Sequence, residues 1–98
     1  MRFGVNSWVW VSPLTTEGVA ELASKVKALG FDWFEVPIEG TGDIDYSRAG
    51  QILRDNGLGV SVCAAMGPDR DLIHPDKAIR DNGMAYLKHC IDAVRTMG

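Results

Sequence analysis

The carboxylates that could move a proton in this chain are few and scattered. Glu35 stands in an apolar stretch, Trp33-Phe34-Glu35-Val36-Pro37-Ile38, where an acid is unusual. Glu39, Asp43, Asp69 and Asp71 lie in segments interrupted by Gly or Pro. Acid–base or metal chemistry needs several such groups converging on one point. Glu35 has two readings: a catalytic carboxylate, or an acid that accepts hydrogen bonds from neighbouring strands. His74 and His89 lack metal-ligand spacing and read as a helix-start and a helix-side residue. Cys63 has no base near it in sequence and reads as a small buried apolar group. Cys63 and Cys90 show no metal-type spacing and read as reduced thiols. Arg70, between Asp69 and Asp71, could bind phosphate but reads more simply as a solvated loop cation paired with its neighbours. Trp8 and Trp10 put two large aromatics in one short segment, where they either anchor a loop or cover something.

These residues must be positioned by strands and helices. Val60–Arg70 has the grammar of a buried strand that ends in a functional loop: Val60, Val62, Ala64 and Met66 fall on one face, and Ser61, Cys63, Ala65 and Gly67 on the other. Gly67-Pro68 then breaks the strand. Two earlier stretches alternate in the same way, and the spacing predicts strands near 2–6, 32–37 and 60–65. Thr15 or Thr16 caps the first helix, which carries Val19, Leu22, Ala23, Val26 and Leu29 at helical spacing and stops at Gly30. Asp43 or Asp45 caps the second, with Tyr46, Ala49, Ile52 and Leu53 inward and Asn56-Gly57 as its stop. Pro75 suits the first position of the third, whose apolar stripe is Ile79, Tyr86, Leu87, Cys90, Ile91, Val94 and Met97. Gly83 inside that helix implies a close packing contact.

Three βα units of about 30 residues imply a parallel sheet with right-handed crossovers. Each strand has one apolar row (Phe3, Val5; Phe34, Val36, Ile38; Val60, Val62) and one small, polar or mixed row (Gly4, Asn6; Trp33, Glu35; Ser61, Cys63, Ala65). Helices on both faces would make both rows apolar. One mixed row fits a barrel, with the apolar rows toward the helices and the mixed rows inward. The expected fold is therefore α/β: three consecutive βα units of a (β/α)8 barrel, strands in order 1-2-3, helices on one face. Strand 1 in the centre would instead favour a flavodoxin-like sheet. Three units cannot close a barrel of about 250 residues, so residues 1–98 are expected to be the N-terminal portion of a single barrel domain.

The ordered set Phe3-Gly4-Val5-Asn6-Ser7-Trp8, Leu29-Gly30-Phe31-Asp32, Phe34-Glu35-Val36, Gly57-Leu58-Gly59-Val60, Cys63–Pro68 and Pro75–Asp81 with Gly83 and Tyr86 resembles the N-terminal part of the ketose 3-epimerases, the D-tagatose/D-psicose 3-epimerase family. These are xylose-isomerase-like TIM barrels, and the resemblance runs through essentially the whole chain. It implies a metal-dependent isomerase acting on a ketose sugar by proton transfer between two carboxylates through a cis-enediolate. It implies manganese, with cobalt or magnesium as alternatives, held by two Glu, one Asp and one His on later strands. None of those ligands, and no catalytic residue, falls in this segment, which by itself is expected to bind no metal and to be inactive. What carries over is a substrate-pocket wall. Asn6 stands at the end of the first strand, where the family commonly has an aromatic residue. Trp8 or Trp10 matches a loop aromatic over the sugar, Glu35 an acid inside the barrel, and Ala65 a small pocket-lining position.

Composition sets the remaining bounds. A hydrophobic fraction of 46% and a charged fraction of 23% belong to an ordinary globular chain, and a net charge of −3 with no basic cluster argues against nucleic acid as a partner. No apolar run is long enough to span a membrane and no signal-peptide core opens the chain, so a cytoplasmic location is expected. The unpaired edges of a barrel fragment predict a homo-oligomer. The competing reading is a non-catalytic α/β module that folds by self-association.

Overall fold

The computed structural model describes residues Met1–Gly98. Strands β1 (Gly4–Asn6), β2 (Trp33–Ile38) and β3 (Gly59–Ala64) alternate with helices α1 (Thr16–Ala28), α2 (Tyr46–Asp55) and α3 (Lys77–Met97). Short 3-10 turns follow β1 (Ser7–Val9) and β3 (Pro68–Arg70). The strands form one parallel sheet in the order β1-β2-β3. Phe34 pairs with Val5 on one side and Val60 on the other, and Glu35 with Asn6 and Ser61. The alternation legible in each strand thus lines up across the sheet.

The apolar row faces the helices. Phe34, Val36 and Ile38 are fully buried in one cluster with Val19, Ala23 and Val26 of α1, Ala49 and Leu53 of α2, and Tyr86, Cys90, Ala93 and Met97 of α3. Each such side chain contributes about 1.5–3 kcal/mol on burial. Trp33 and Glu35, on the opposite row, are half-buried. Pro37, in the central strand, lacks the N–H a ladder needs. The Trp33 N–H points to β1, donating to the Phe3 carbonyl. Residues two apart point the same way, so the missing donor of Pro37 would also face β1. The β1 ladder has already ended at the Asn6–Glu35 pair, and nothing is lost there.

The helix ends follow local chemistry. Thr15 caps α1 through Gly18 N–H, and Asp45 caps α2 through Arg48 N–H. Thr16 Oγ1 accepts from Asp45 N–H and ties the two caps together. Gly30 and Gly57 take positive φ at the stops. The α2–α3 contact is close because Gly50 has no Cβ: one there would stand 2.5 Å from the Met97 carbonyl oxygen.

Several expectations are corrected. Pro75 lies outside α3, which begins at Lys77 with Asp76 as its cap through Ala78 N–H; His74 Nδ1 accepts from Asp76 N–H and holds that cap. The Asp76 carboxylate satisfies a free N–H of the first turn and so takes the cap position, which leaves Pro75 just before the helix. Phe3 is 58% exposed, since nothing lies beyond the β1 edge to cover its ring. Val60 and Val62 are only half-buried, and Ile91 on α3 is 58% exposed. They border an apolar groove of about 480 Å³ with Ala64, Leu87, Cys90 and Val94, along the open flank of β3 and α3. The apolar stripe of α3 is therefore split between the core and this groove. No helix is long and apolar enough to cross a membrane.

Candidate functional site

The mixed rows end on one side of the sheet, at the C-terminal ends of the strands, where the loops after β1, β2 and β3 meet. A polar chain of side chains joins them. Asn6, at the end of β1, donates from Nδ2 to Glu35 Oε2 at 2.9 Å. Its Oδ1 accepts from Trp8 N–H at 2.8 Å. The Trp8 indole Nε1–H donates to Glu39 Oε2 at 3.1 Å, and Ser12 Oγ donates to the same carboxylate at 2.7 Å. The Glu39 carbonyl accepts from Arg70 at 2.8 Å, and Arg70 also donates to the Ala65 carbonyl at 2.9 Å. The guanidinium carbon of Arg70 lies 3.8 Å from the centre of the Tyr86 ring. Tyr86 in turn donates its hydroxyl to the Ile38 carbonyl and accepts from Ala65 N–H.

Asn6, Glu35 and Trp8 are thus brought together, and Ala65 is linked to them through Arg70 and the Glu39 carbonyl. Trp10 stands apart. It packs against the core, with Lys25 Nζ of α1 at 5.1 Å from its ring. Arg70 is not the solvated cation the sequence suggests. It makes no ion pair with Asp69 or Asp71, because two carbonyls at the strand ends and an aromatic face hold it more firmly than mobile loop carboxylates. His89 Nε2 is 2.7 Å from the Tyr46 hydroxyl, a half-buried contact between α3 and α2.

Sequence reasoning missed Glu39, Ser12, Arg70 and Tyr86 as members of this network. One signal was available: Glu39 shares the parity of Glu35 and Pro37, hence the inward row.

The electrostatics disfavour thiolate chemistry. Burial pushes the Cys63 thiol up, and the negative charge of Glu35 and the neighbouring Cys90 push it further. Burial likewise raises Tyr86 above its ordinary value, with the Cys90 hydrogen bond and charge adding and Ala65 N–H and Arg70 opposing. No cavity encloses Asn6, Trp8 and Glu35; they lie on an open face. No three His, Cys, Asp or Glu side chains converge on one point. This segment can present hydrogen-bond groups and an aromatic face to a polar ligand, but it holds no complete acid–base pair.

The model of the xylose isomerase-like TIM barrel family matches residues 23–98. The L-ribulose 3-epimerase of Mesorhizobium japonicum is 26% identical over 97 residues, covering 99% of this chain and 33% of that protein. A solved L-ribulose 3-epimerase superposes with a TM-score of 0.88 at 28% identity, over 99% of this chain and 33% of that one. The D-allulose 3-epimerase of Methylomonas sp., solved with D-allulose, superposes with a TM-score of 0.91 at 19% identity, over 100% of this chain and 34% of that one. The chain therefore spans about a third of the length of the relatives it matches.

Proposed function

Since the chain belongs to the xylose isomerase-like TIM barrel family, we propose that it is the N-terminal segment of a ketose 3-epimerase. The observation that supports this is the end-to-end likeness to a 3-epimerase, 26% identical over 97 residues, on a sheet whose inward row carries the Asn6–Glu35 pair. In the proposed reaction a carboxylate removes the proton from C3 of a ketose. The electron pair moves onto the adjacent carbonyl as a cis-enediolate, and a carboxylate on the other face returns a proton to C3. Neither carboxylate is assigned to these 98 residues. Their part is to bind and orient: Asn6 and Glu35 offer a hydrogen-bond donor and acceptors to sugar hydroxyls, and Trp8 offers an aromatic face. Ala65 leaves room at the end of β3, and Trp10 braces the loop from the core side.

The donor set here does not fit a metal ion, because no three ligating side chains meet. The divalent ion proposed for the whole enzyme, manganese first with cobalt or magnesium as alternatives, is held outside this segment. The test uses the whole protein with fructose, tagatose and ribulose in deuterated water, followed by NMR. The expected result is conversion to the C3 epimer with deuterium at C3, lost after chelation and restored by manganese. Absence of conversion with every ketose, metal-loaded, would sink the reading.

A further inference from the structure

Glu39 carries a carboxylate whose partners are both neutral donors from a single loop. Trp8 Nε1–H reaches Oε2 at 3.1 Å, and Ser12 Oγ reaches Oε2 at 2.7 Å and Oε1 at 2.9 Å. No Lys, Arg or His forms an ion pair with it. The loop it grips runs from the end of β1 to the start of α1, with Trp8 near its beginning and Ser12 near its middle. The backbone of Trp8 is held separately, by Asn6 Oδ1. The aromatic side chain is therefore pinned at both ends while the residue stays 43% exposed. An exposed tryptophan normally samples several rotamers, and fixing it costs entropy that must be met before a ligand can stack on it.

We infer that Glu39 is a positioning residue: its carboxylate sets the Trp8 indole in advance for a sugar ring, and it takes no part in proton transfer. This rests on the ketose reading above for the identity of the ligand, and on the hydrogen bonds alone for the positioning. Truncation of the side chain leaves the rest of the rim in place, because Arg70 is bound to the Glu39 carbonyl and not to its carboxylate. Glutamine keeps an acceptor oxygen with two lone pairs and so retains the grip without a titratable proton.

The experiment uses the whole protein with Glu39→Gln, Glu39→Ala and Trp8→Phe variants. The first readout is the indole N–H signal of Trp8 in ¹⁵N-correlated NMR, identified by its loss in Trp8→Phe. The second is the separation of KM from kcat for the ketose turned over. Positioning predicts that Glu39→Ala moves the indole signal and raises KM about five- to ten-fold, the net effect of losing one ordinary hydrogen bond, with kcat nearly unchanged. Glu39→Gln stays close to the parent in both, and adding Glu39→Ala to Trp8→Phe raises KM no further. An unmoved indole signal in Glu39→Ala overturns the proposal, as does a moved signal with unchanged KM. A large loss of kcat in Glu39→Gln also overturns it, by making Glu39 a catalytic carboxylate. A parent protein that turns over no ketose defeats the function proposed above instead. The indole signal then decides alone: unmoved in Glu39→Ala refutes the positioning, and moved in Glu39→Ala but restored in Glu39→Gln supports it.

Discussion

The indole of Trp33 lies flat against Gly59: a Cβ at Gly59 would stand 2.6 Å from Cδ2 and 2.7 Å from Cε3 of the ring. The two residues are direct partners across β2 and β3. On the other flank Gly4 pairs with Trp33, and a Cβ there would come within 3.0 Å of the Trp33 Cβ. The ring thus covers the start of β3 on the inward row in the room Gly59 leaves, while Gly4 leaves room for the Trp33 Cβ and backbone. Gly59→Ala is expected to displace the ring and to destabilise the fold by about 1–3 kcal/mol, the usual cost of overpacking. Urea unfolding followed by tryptophan fluorescence checks it; an unchanged midpoint would mean the ring swings aside freely.

Gly83 offers a test in which two effects of opposite sign compete. Alanine is favoured over glycine inside a helix by about 1 kcal/mol. A Cβ at Gly83, however, would meet the Arg70 carbonyl oxygen at 2.5 Å and Leu72 Cδ2 at 2.9 Å. The first of these is backbone and cannot rotate away. Gly83→Ala is expected to be net destabilising by about 1–2 kcal/mol and to loosen the loop after β3. Hydrogen exchange should show faster exchange at Arg70 N–H, which bonds the Gly67 carbonyl. A stabilised variant would show that helix propensity outweighs the contact.

Tyr86 closes the strand ends by bonding both the Ile38 carbonyl and Ala65 N–H. Tyr86→Phe should cost about 1–3 kcal/mol, since it leaves a buried carbonyl and a part-buried N–H without that partner. A pH dependence follows from the same residue. Its folded-state pKa is raised above 10.0, first by burial, so its hydroxyl ionises more readily in the unfolded chain. Its contribution is fully present below 10.0 and is lost as pH rises through the folded value. Cys63, raised above 9.0 for the same leading reason, acts in the same direction from a lower pH. Stability in urea should therefore fall between pH 8.5 and 11, and Tyr86→Phe should flatten the upper part of that fall; an identical slope in the variant would refute the assignment. These pH limits are roughly the ordinary thiol and phenol ranges.

The open flank of β3 should make these 98 residues associate when they are produced alone. Val60, Val62, Leu87, Ile91 and Val94 line an apolar groove of about 480 Å³ beside a strand with one partner only. An unpaired edge next to an apolar surface recruits another chain. Sedimentation is expected to show dimers or larger species, and Ile91→Glu to shift them toward monomer. A monomeric parent would rule out the self-associating module as well as this prediction.

The sequence by itself determined the order of the elements, the helix stops at Gly30 and Gly57 and the parity of each strand, and it narrowed the first two caps to Thr15 or Thr16 and Asp43 or Asp45 while missing Asp76. Thr15, Asp45, Gly30 and Gly57 act within three or four residues of their own position, so local chemistry decides them. The alternation around Glu35 and Ser61 fixed which side chains share a face, because a strand has a period of two whatever its neighbours. Only the tertiary structure separated Trp8 from Trp10, one drawn to Glu39 across 31 residues and the other to Lys25 on α1. It also turned Arg70 from a solvated loop cation into a clamp between the ends of β2 and β3, across the same separation of 31 residues from Glu39. Contacts of this kind depend on which strand ends a parallel sheet brings together. That is set by register and crossover, and no single stretch of sequence carries it.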